Sequence, residues 1–359
     1  MFGWFSRLVR GSTPAAPPGR GRPAPAPGAP ATAPAPLDDD RPFAPFARAL
    51  GLPVPPPQPD PDTVEPDPED VALAGRVLEH FRRSRPGPAS APSLSLRVLN
   101  LVAAPDADVG EMVRLVSADP ALSAGVLTVA NSAHYRGLEE IETVRAAVVR
   151  LGLDEVARVA GGIGAKSLFN PKLKAELAAY GARFGALYHR ALTVANGAAF
   201  AAMQARGGRA DRAFLGGLLF DVGKSIALRS IAALALAEPA AAPDEARIGR
   251  VLEAVHGEVG AECHQEWALP QYLTVIAVRH HEREIPADPE FVDLHVVRLA
   301  GALLDLRDEA AAPRAAAELV QSAAALRLSP LAVRTLDAEL RDSAQRVAAA
   351  FGIESARRT

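Results

Sequence analysis

The sequence predicts an all-α protein, a dozen or so helices in one or two lobes, preceded by a disordered Pro/Ala-rich tail. Three observations predict it. From Val71 onward apolar residues recur at three- and four-residue spacing almost everywhere, and no convincing run of alternating strand residues occurs. Aromatic residues make up only 5% of the chain within a 49% hydrophobic total, and Ala is abundant, which suits closely packed helices. Nineteen of the 32 Pro lie between Gly11 and Asp70, so a Pro-rich segment precedes a Pro-poor core.

Gly11 to Asp70 reads as disordered because repeated Pro-Ala steps remove backbone donors and offer little apolar surface to bury. An island, Phe43-Ala-Pro-Phe-Ala-Arg-Ala-Leu50, interrupts it and reads as a docking segment or as an incidental apolar cluster. The first ten residues set Phe2, Trp4, Phe5, Leu8 and Val9 beside Arg7 and Arg10. Such a segment would give weak docking on a membrane surface or a partner groove, or be a frayed terminus.

The helices follow in order. Val71, Leu73, Val77, Leu78 and Phe81 form one stripe. Asp119-Pro120 reads as an N-cap followed by the Pro favoured at the first helical position, ahead of Leu122, Val126, Leu127 and Ala130. Val144, Ala147, Val148 and Leu151 continue to Gly152, a C-cap stop, and Asp154 is expected to cap the next helix. A long helical stretch after Pro171 carries Leu173, Leu177, Tyr180, Phe184 and Leu187. Phe214–Leu219, Ile248–Val259, Leu273–Ile276, Val292–Leu303, Leu319 and Leu331–Val347 mark the rest.

Charge and cysteine content exclude several classes of function. Residues 1–70 hold six basic and nine acidic residues, and the remainder holds 33 of each, so no net field or basic stripe invites nucleic acid. The single Cys263 excludes an internal disulfide and any multi-cysteine metal site, and it reads as buried packing. The longest uncharged stretch of the core, Ala191–Ala205, is too short and polar to span a bilayer, so a soluble, cytoplasmic protein is expected.

Chemistry concentrates in the second half. His80 and His134 read as surface or packing residues, whereas His189, His256, His264, His280, His281 and His295 fall together with Asp221 and Lys224. His plus Asp from separate helices is how bundles build metal sites. In Phe214-Leu-Gly-Gly-Leu-Leu-Phe-Asp-Val-Gly-Lys-Ser225 the glycine spacing is wrong for a phosphate loop, and the preceding run is helical rather than strand-like. Plainer readings stand beside the chemical ones: Asp221 as a cap, the histidines as packing groups, and Gly260 as room for a neighbouring helix between His256 and His264.

That segment resembles the L-L-H-D-I-G-K element of the HD superfamily, and the wider pattern resembles the HDOD domain, a helical relative of HD and HD-GYP domains. Ser95–Ala104, Ser117–Tyr135, Val144–Gly152, Phe214–Lys224, His256–Gly260 and Trp267–Glu282 carry the match in order. The resemblance implies a two-lobed helical HDOD domain over residues 71–285, a tail over 1–70 and a C-terminal helical extension over 286–359 packed on the core.

It also implies a degenerate site. Transferred onto this sequence, the superfamily's first metal-binding His is His189, the doublet's His is Phe220 and its Asp is Asp221, and the distant Asp is Gly301. Phe and Gly offer no ligand, so metal-dependent hydrolysis is disfavoured, and neither metal nor cofactor is expected. His189, Asp221, Lys224, His256, His280 and His281 are then expected to form a ligand pocket or a relic of one. The resulting reading is a non-catalytic bacterial signalling module that binds protein partners through the groove between its lobes and through its tail. Two alternatives remain: a phosphohydrolase or cyclic-dinucleotide phosphodiesterase on the same residues, and a nucleotide sensor with Lys224 and Arg279 as phosphate contacts.

Overall fold

A computed structural model describes residues 41–57, 65–84, 97, 100–101, 108–132, 135, 140–171 and 173–351. Among these every regular element is helical. The first ten residues, the rest of the tail before Arg41, His134 and most of Ser95–Ala104 lie outside the described residues.

A small lobe is built from four helices, α3 (Val109–Ser117), α4 (Pro120–Ala130), α5 (Val144–Leu151) and α6 (Leu153–Lys166). Local chemistry sets their ends. Asp108 accepts from the amides of Gly110 and Glu111, Asp119 Oδ1 from Leu122 N at 2.9 Å, and Thr143 Oγ1 from Ala146 N at 3.1 Å. Gly152, at φ 82°, ends α5 and begins α6 in one residue, so Asp154 sits inside the first turn instead of capping it. Met112, Leu115, Val116, Leu122, Val126, Ala147, Val156 and Ala160 close the lobe's core.

The larger body is organised on α7 (Lys174–Gln204), a 31-residue helix. One face, with Phe184, Tyr188, Leu192 and Ala195, packs with α2 (Pro68–Arg83), α8 (Ala210–Leu219), α9 (Val222–Ala237) and α10 (Glu245–Glu266). An adjacent face, with Val194, Ala198, Ala201 and Ala202, shares a second core with α12 (Val292–Asp305), α13 (Ala312–Ala325) and α14 (Pro330–Phe351). The Tyr188 hydroxyl donates to the Gly162 carbonyl at 2.8 Å and ties α7 to the small lobe.

The expected disorder of residues 11–70 does not extend over 41–57. Ala44–Leu50 forms helix α1, ended by Gly51 at φ 67°, and Phe43, Phe46 and Ala47 are buried in the second core beside α14. Burial of two phenylalanines outweighs the local Pro content there. Asp67 likewise caps α2, and Asp70 is buried against Arg247 and Arg250. No single helix among the described residues is long and apolar enough to cross a membrane.

Candidate functional site

Three helices bring the polar groups together because glycine lets them touch. α8 ends at Leu219, Phe220 is its C-cap and Asp221 the N-cap of α9. A Cβ on Gly223 would collide with the His256 carbonyl oxygen and stand 2.7 Å from Gly260 N, so α9 crosses α10 with backbones in contact. A Cβ on Gly257 would stand 3.2 Å from the Ala277 carbonyl oxygen, which brings α11 (Gln271–Arg279) as close. Asp221, His256 and His280 meet at this junction, respectively 2%, 0% and 3% exposed.

Asp221 has two different sides. Its Oδ2 accepts from Arg190 Nε at 3.2 Å and from Lys224 Nζ at 3.1 Å. Its Oδ1 has no hydrogen-bond partner and faces His256 Nε2 at 3.4 Å and His280 Nε2 at 3.7 Å. Those two ring nitrogens are 3.2 Å apart. Nδ1 of His256 lies at 3.1 Å from Leu252 O and 3.0 Å from Glu253 O, and Nδ1 of His280 at 3.0 Å from Ile276 O and 3.1 Å from Ala277 O. Each Nδ1 therefore donates, and each Nε2 keeps its lone pair. Asp221 does not cap α9 with its side chain, because its carboxylate is spent on these contacts.

A ring of charge surrounds this centre. Lys224 Nζ also donates to Glu253 Oε1 at 2.6 Å, and Arg190 makes a bidentate pair with Asp305 at 2.6 and 3.0 Å. His281 Nδ1 lies 2.8 Å from Glu318 Oε1, and Arg314 Nη1 lies 3.4 Å from Glu253 Oε2. Burial opposes ionisation of Asp221, but Lys224, His256 and Arg190 overcome it and hold its carboxyl well below the usual range. Burial, and then the neighbouring His256, pushes His280 down to about 3. Burial and Lys224 lower His256, and burial with His280 lowers His281. Glu318 is pushed up to about 7 by burial, against the pull of Arg314 and Arg298.

Five of the six expected pocket residues, Asp221, Lys224, His256, His280 and His281, lie together. The sixth, His189, is half-buried on α7, and the contact from that helix to Asp221 runs through its neighbour Arg190. Arg279 pairs with Glu282 at 2.7 Å and stacks on Phe291, so it does not join Lys224. His80 stands on α2, beside Ser84. His264 packs beside Trp267, and His295 meets Pro286 O at 3.0 Å. Sequence reasoning missed Arg190, Glu253, Asp305, Arg314 and Glu318. Asp305 carried the best signal, since it stands one helical turn beyond Gly301 on the same face.

Phe220 and Gly301, the two positions where the resemblance expects a ligand, face one another. A Cβ on Gly301 would stand 3.8 Å from Arg190 Nη2 and 3.9 Å from Phe220 Cε2. The Phe220 ring meets His280 edge-on at 5.2 Å, and the Arg190 guanidinium lies 5.7 Å from its centroid. Ring and guanidinium thus occupy the volume that a longer side chain at 301 would enter.

The donor set separates two kinds of metal site. Asp221 Oδ1, His256 Nε2 and His280 Nε2 form a triangle with edges of 3.2 to 3.7 Å. A tetrahedral ion with bonds near 2.05 Å has ligands about 3.3 Å apart, so these atoms fit a single ion, with His281 within reach as a further ligand. Three ligands leave a fourth position, which His281 would close and which water would otherwise take. A surface concavity of about 430 Å³ runs along α11 past Gln265, Leu269, Val275 and Val278, and no side chain of the cluster lines it.

The HDOD domain model matches residues 89–283, more than half of the chain. The chain belongs to the HDOD family. No curated protein matches it. Among solved structures, an HDOD domain protein of unknown function from Geobacter sulfurreducens is 19% identical, with 78% of this chain and 99% of that one covered at a TM-score of 0.55. A protein from Shewanella amazonensis named "Putative metal-dependent phosphohydrolase" is 19% identical, with 77% and 99% covered and a TM-score of 0.55. One from Marinobacter aquaeolei named "Putative signal transduction protein" is 19% identical, with 79% and 66% covered and a TM-score of 0.54. At such identities the likeness is one of fold, and this HDOD protein shares the helical architecture of all three.

Proposed function

We propose that this HDOD protein is a non-catalytic regulatory module that acts by contact with protein partners. The observation that carries the reading is the Arg190 guanidinium. It lies between the carboxylates of Asp221 and Asp305, beside Phe220 and Gly301, where the superfamily's resemblance leads one to expect metal ligands. A fixed internal cation neutralises the acids, so a second, exchangeable cation gains little there. Lys224 supplies the same service on the other flank, and its engagement with Asp221 and Glu253 leaves it unsuited to grip a nucleotide phosphate. Burial of Asp221 and His256 further denies a phosphoester access to the centre. The names of the solved neighbours divide between hydrolase and signalling protein, and this cluster favours the second.

A second reading rests on the triangle of Asp221 Oδ1, His256 Nε2 and His280 Nε2. With His281 as the fourth ligand, these residues would hold one divalent ion in a closed site, where it would pin α9, α10 and α11 together and supply no hydrolytic water.

Elemental analysis of full-length protein purified without chelator, combined with turnover assays on cyclic dinucleotides and simple phosphoesters in Mn²⁺, tests both readings. The expected result is no turnover. Stoichiometric metal without turnover selects the closed single-ion site. Turnover abolished by Asp221→Ala overturns the non-catalytic reading.

A further inference from the structure

In the Pro-rich region, helix α1 (Ala44–Leu50) stands apart. Seven residues are too few for a helix to persist alone in water, so α1 exists because it is docked. Its buried surface is apolar: Phe43 is 5% exposed, Phe46 9% and Ala47 2%, within the cluster that holds Val333, Leu336 and Leu340 of α14. The segment also closes on itself. Arg41 Nη1 donates to Pro55 O at 2.6 Å, and Leu52 N to Ala47 O at 3.0 Å. It is a compact unit attached by two aromatic anchors three residues apart. Its flanks in sequence are Pro-rich, with nine Pro before residue 37 and Pro59 and Pro61 after it, a composition suited to tethers.

We propose that the face of α14 under Phe43 and Phe46 is a helix-docking groove, that α1 is its resident occupant, and that a partner protein exchanges with α1 by offering a short amphipathic helix with two aromatic side chains at the same spacing. The proposal rests on the reading of the chain as a partner-binding module, and it names the partner's chemistry. The seated helix defines what the groove recognises, since helix-in-groove recognition is read through anchors at such spacing. Tethering supplies the control. Few residues separate α1 from α2, so α1 stands over the groove at an effective concentration on the order of millimolar, and the groove opens only to a ligand that outcompetes it.

The test uses full-length protein and a fluorescein-labelled synthetic peptide of residues 41–57. The Phe43→Ser/Phe46→Ser variant should bind the peptide saturably, and the unaltered chain should bind it at least roughly tenfold more weakly. Equal binding by both proteins, or none by a variant that retains its helical circular dichroism and unfolding midpoint, overturns the proposal. Should the variant fail to fold, hydrogen exchange on the unaltered chain decides. Amides of Ala47–Leu50 should exchange at least roughly a hundredfold faster than those of Val296–Leu303, and equal protection overturns the proposal. Turnover of a phosphoester would remove the regulatory reading without touching this binding result, so the two failures are distinguishable.

Discussion

Arg190 Nη2 lies 3.8 Å from the point where a Cβ on Gly301 would stand, so a side chain longer than that of Ala at 301 would enter the space of a partly buried cation. That cation then serves two acids, Asp221 and Asp305, from helices that meet α7 on different sides.

Arg190→Ala should therefore act first on stability. It takes the bidentate partner from Asp305 and one of two cations from Asp221, carboxylates 16% and 3% exposed. Lys224 stays on Asp221, so the loss should fall at or below the about 3–5 kcal/mol of breaking a buried pair. Urea denaturation of Arg190→Ala, Asp305→Ala and the double variant checks it. The double variant should lose less than the sum of the singles, because the partner is removed with the charge.

Placing at 220 and 301 the ligands that the resemblance expects should expose Arg190 as the obstacle. Phe220→His/Gly301→Asp places a His and an Asp around the volume now held by the guanidinium. Titration with Co²⁺, followed by its visible absorption, should show tighter binding only when Arg190→Ala is added. Equal binding by the double and triple variants would refute this role.

The helix crossing makes a sharper steric prediction. Gly223→Ala forces a methyl group onto the His256 carbonyl oxygen and should destabilise by at least about 3 kcal/mol. Gly249→Ala, on the same α10 but with nothing within 4 Å of its Cβ, should stabilise by about 0.5–1 kcal/mol. Thermal unfolding of the pair reads both signs.

Two buried groups should tilt the pH dependence of stability in opposite directions over overlapping windows. Burial lowers His264 from its ordinary 6.5 to about 4, so the unfolded chain takes up a proton in that window and the fold does not. The contribution of His264 falls as pH drops through that window, by about 3 kcal/mol at the bottom. It acts beside those of the likewise lowered His256, His280 and His281, so His264→Leu should make the acid loss shallower without removing it. Glu318, pushed up from 4.5 to about 7, works the other way, because the unfolded chain loses its proton first and stability falls as pH rises from 4.5 to 7. Glu318→Gln should remove that opposing slope. Chemical denaturation of each variant beside the unaltered chain, at half-unit steps from pH 4 to 8, separates the two contributions.

What was legible in the sequence was whatever depends on near neighbours. Asp119-Pro120, Gly152 and the stripe through Leu122 and Val126 announce helices and their ends, and Phe214–Ser225 with His256 and His280 announces the junction. The rest is set by partners remote in sequence. Arg190 was hidden beside the more conspicuous His189, and its acids stand 31 and 115 residues away. Phe43–Leu50 looked like part of a tail because its stabilising surface belongs to α14, near the other end of the chain. Asp154 misled because Gly152 does both the stopping and the starting.

The long helix α7 has a practical consequence for what counts as a unit. Its second face, Val194, Ala198, Ala201 and Ala202, is covered by α12–α14, which lie beyond the residues that define the family. A polypeptide ended at residue 283 would turn that hydrophobic strip outward and lose Asp305 from Arg190. The span recognisable by kinship and the span that folds cooperatively are therefore different lengths of chain.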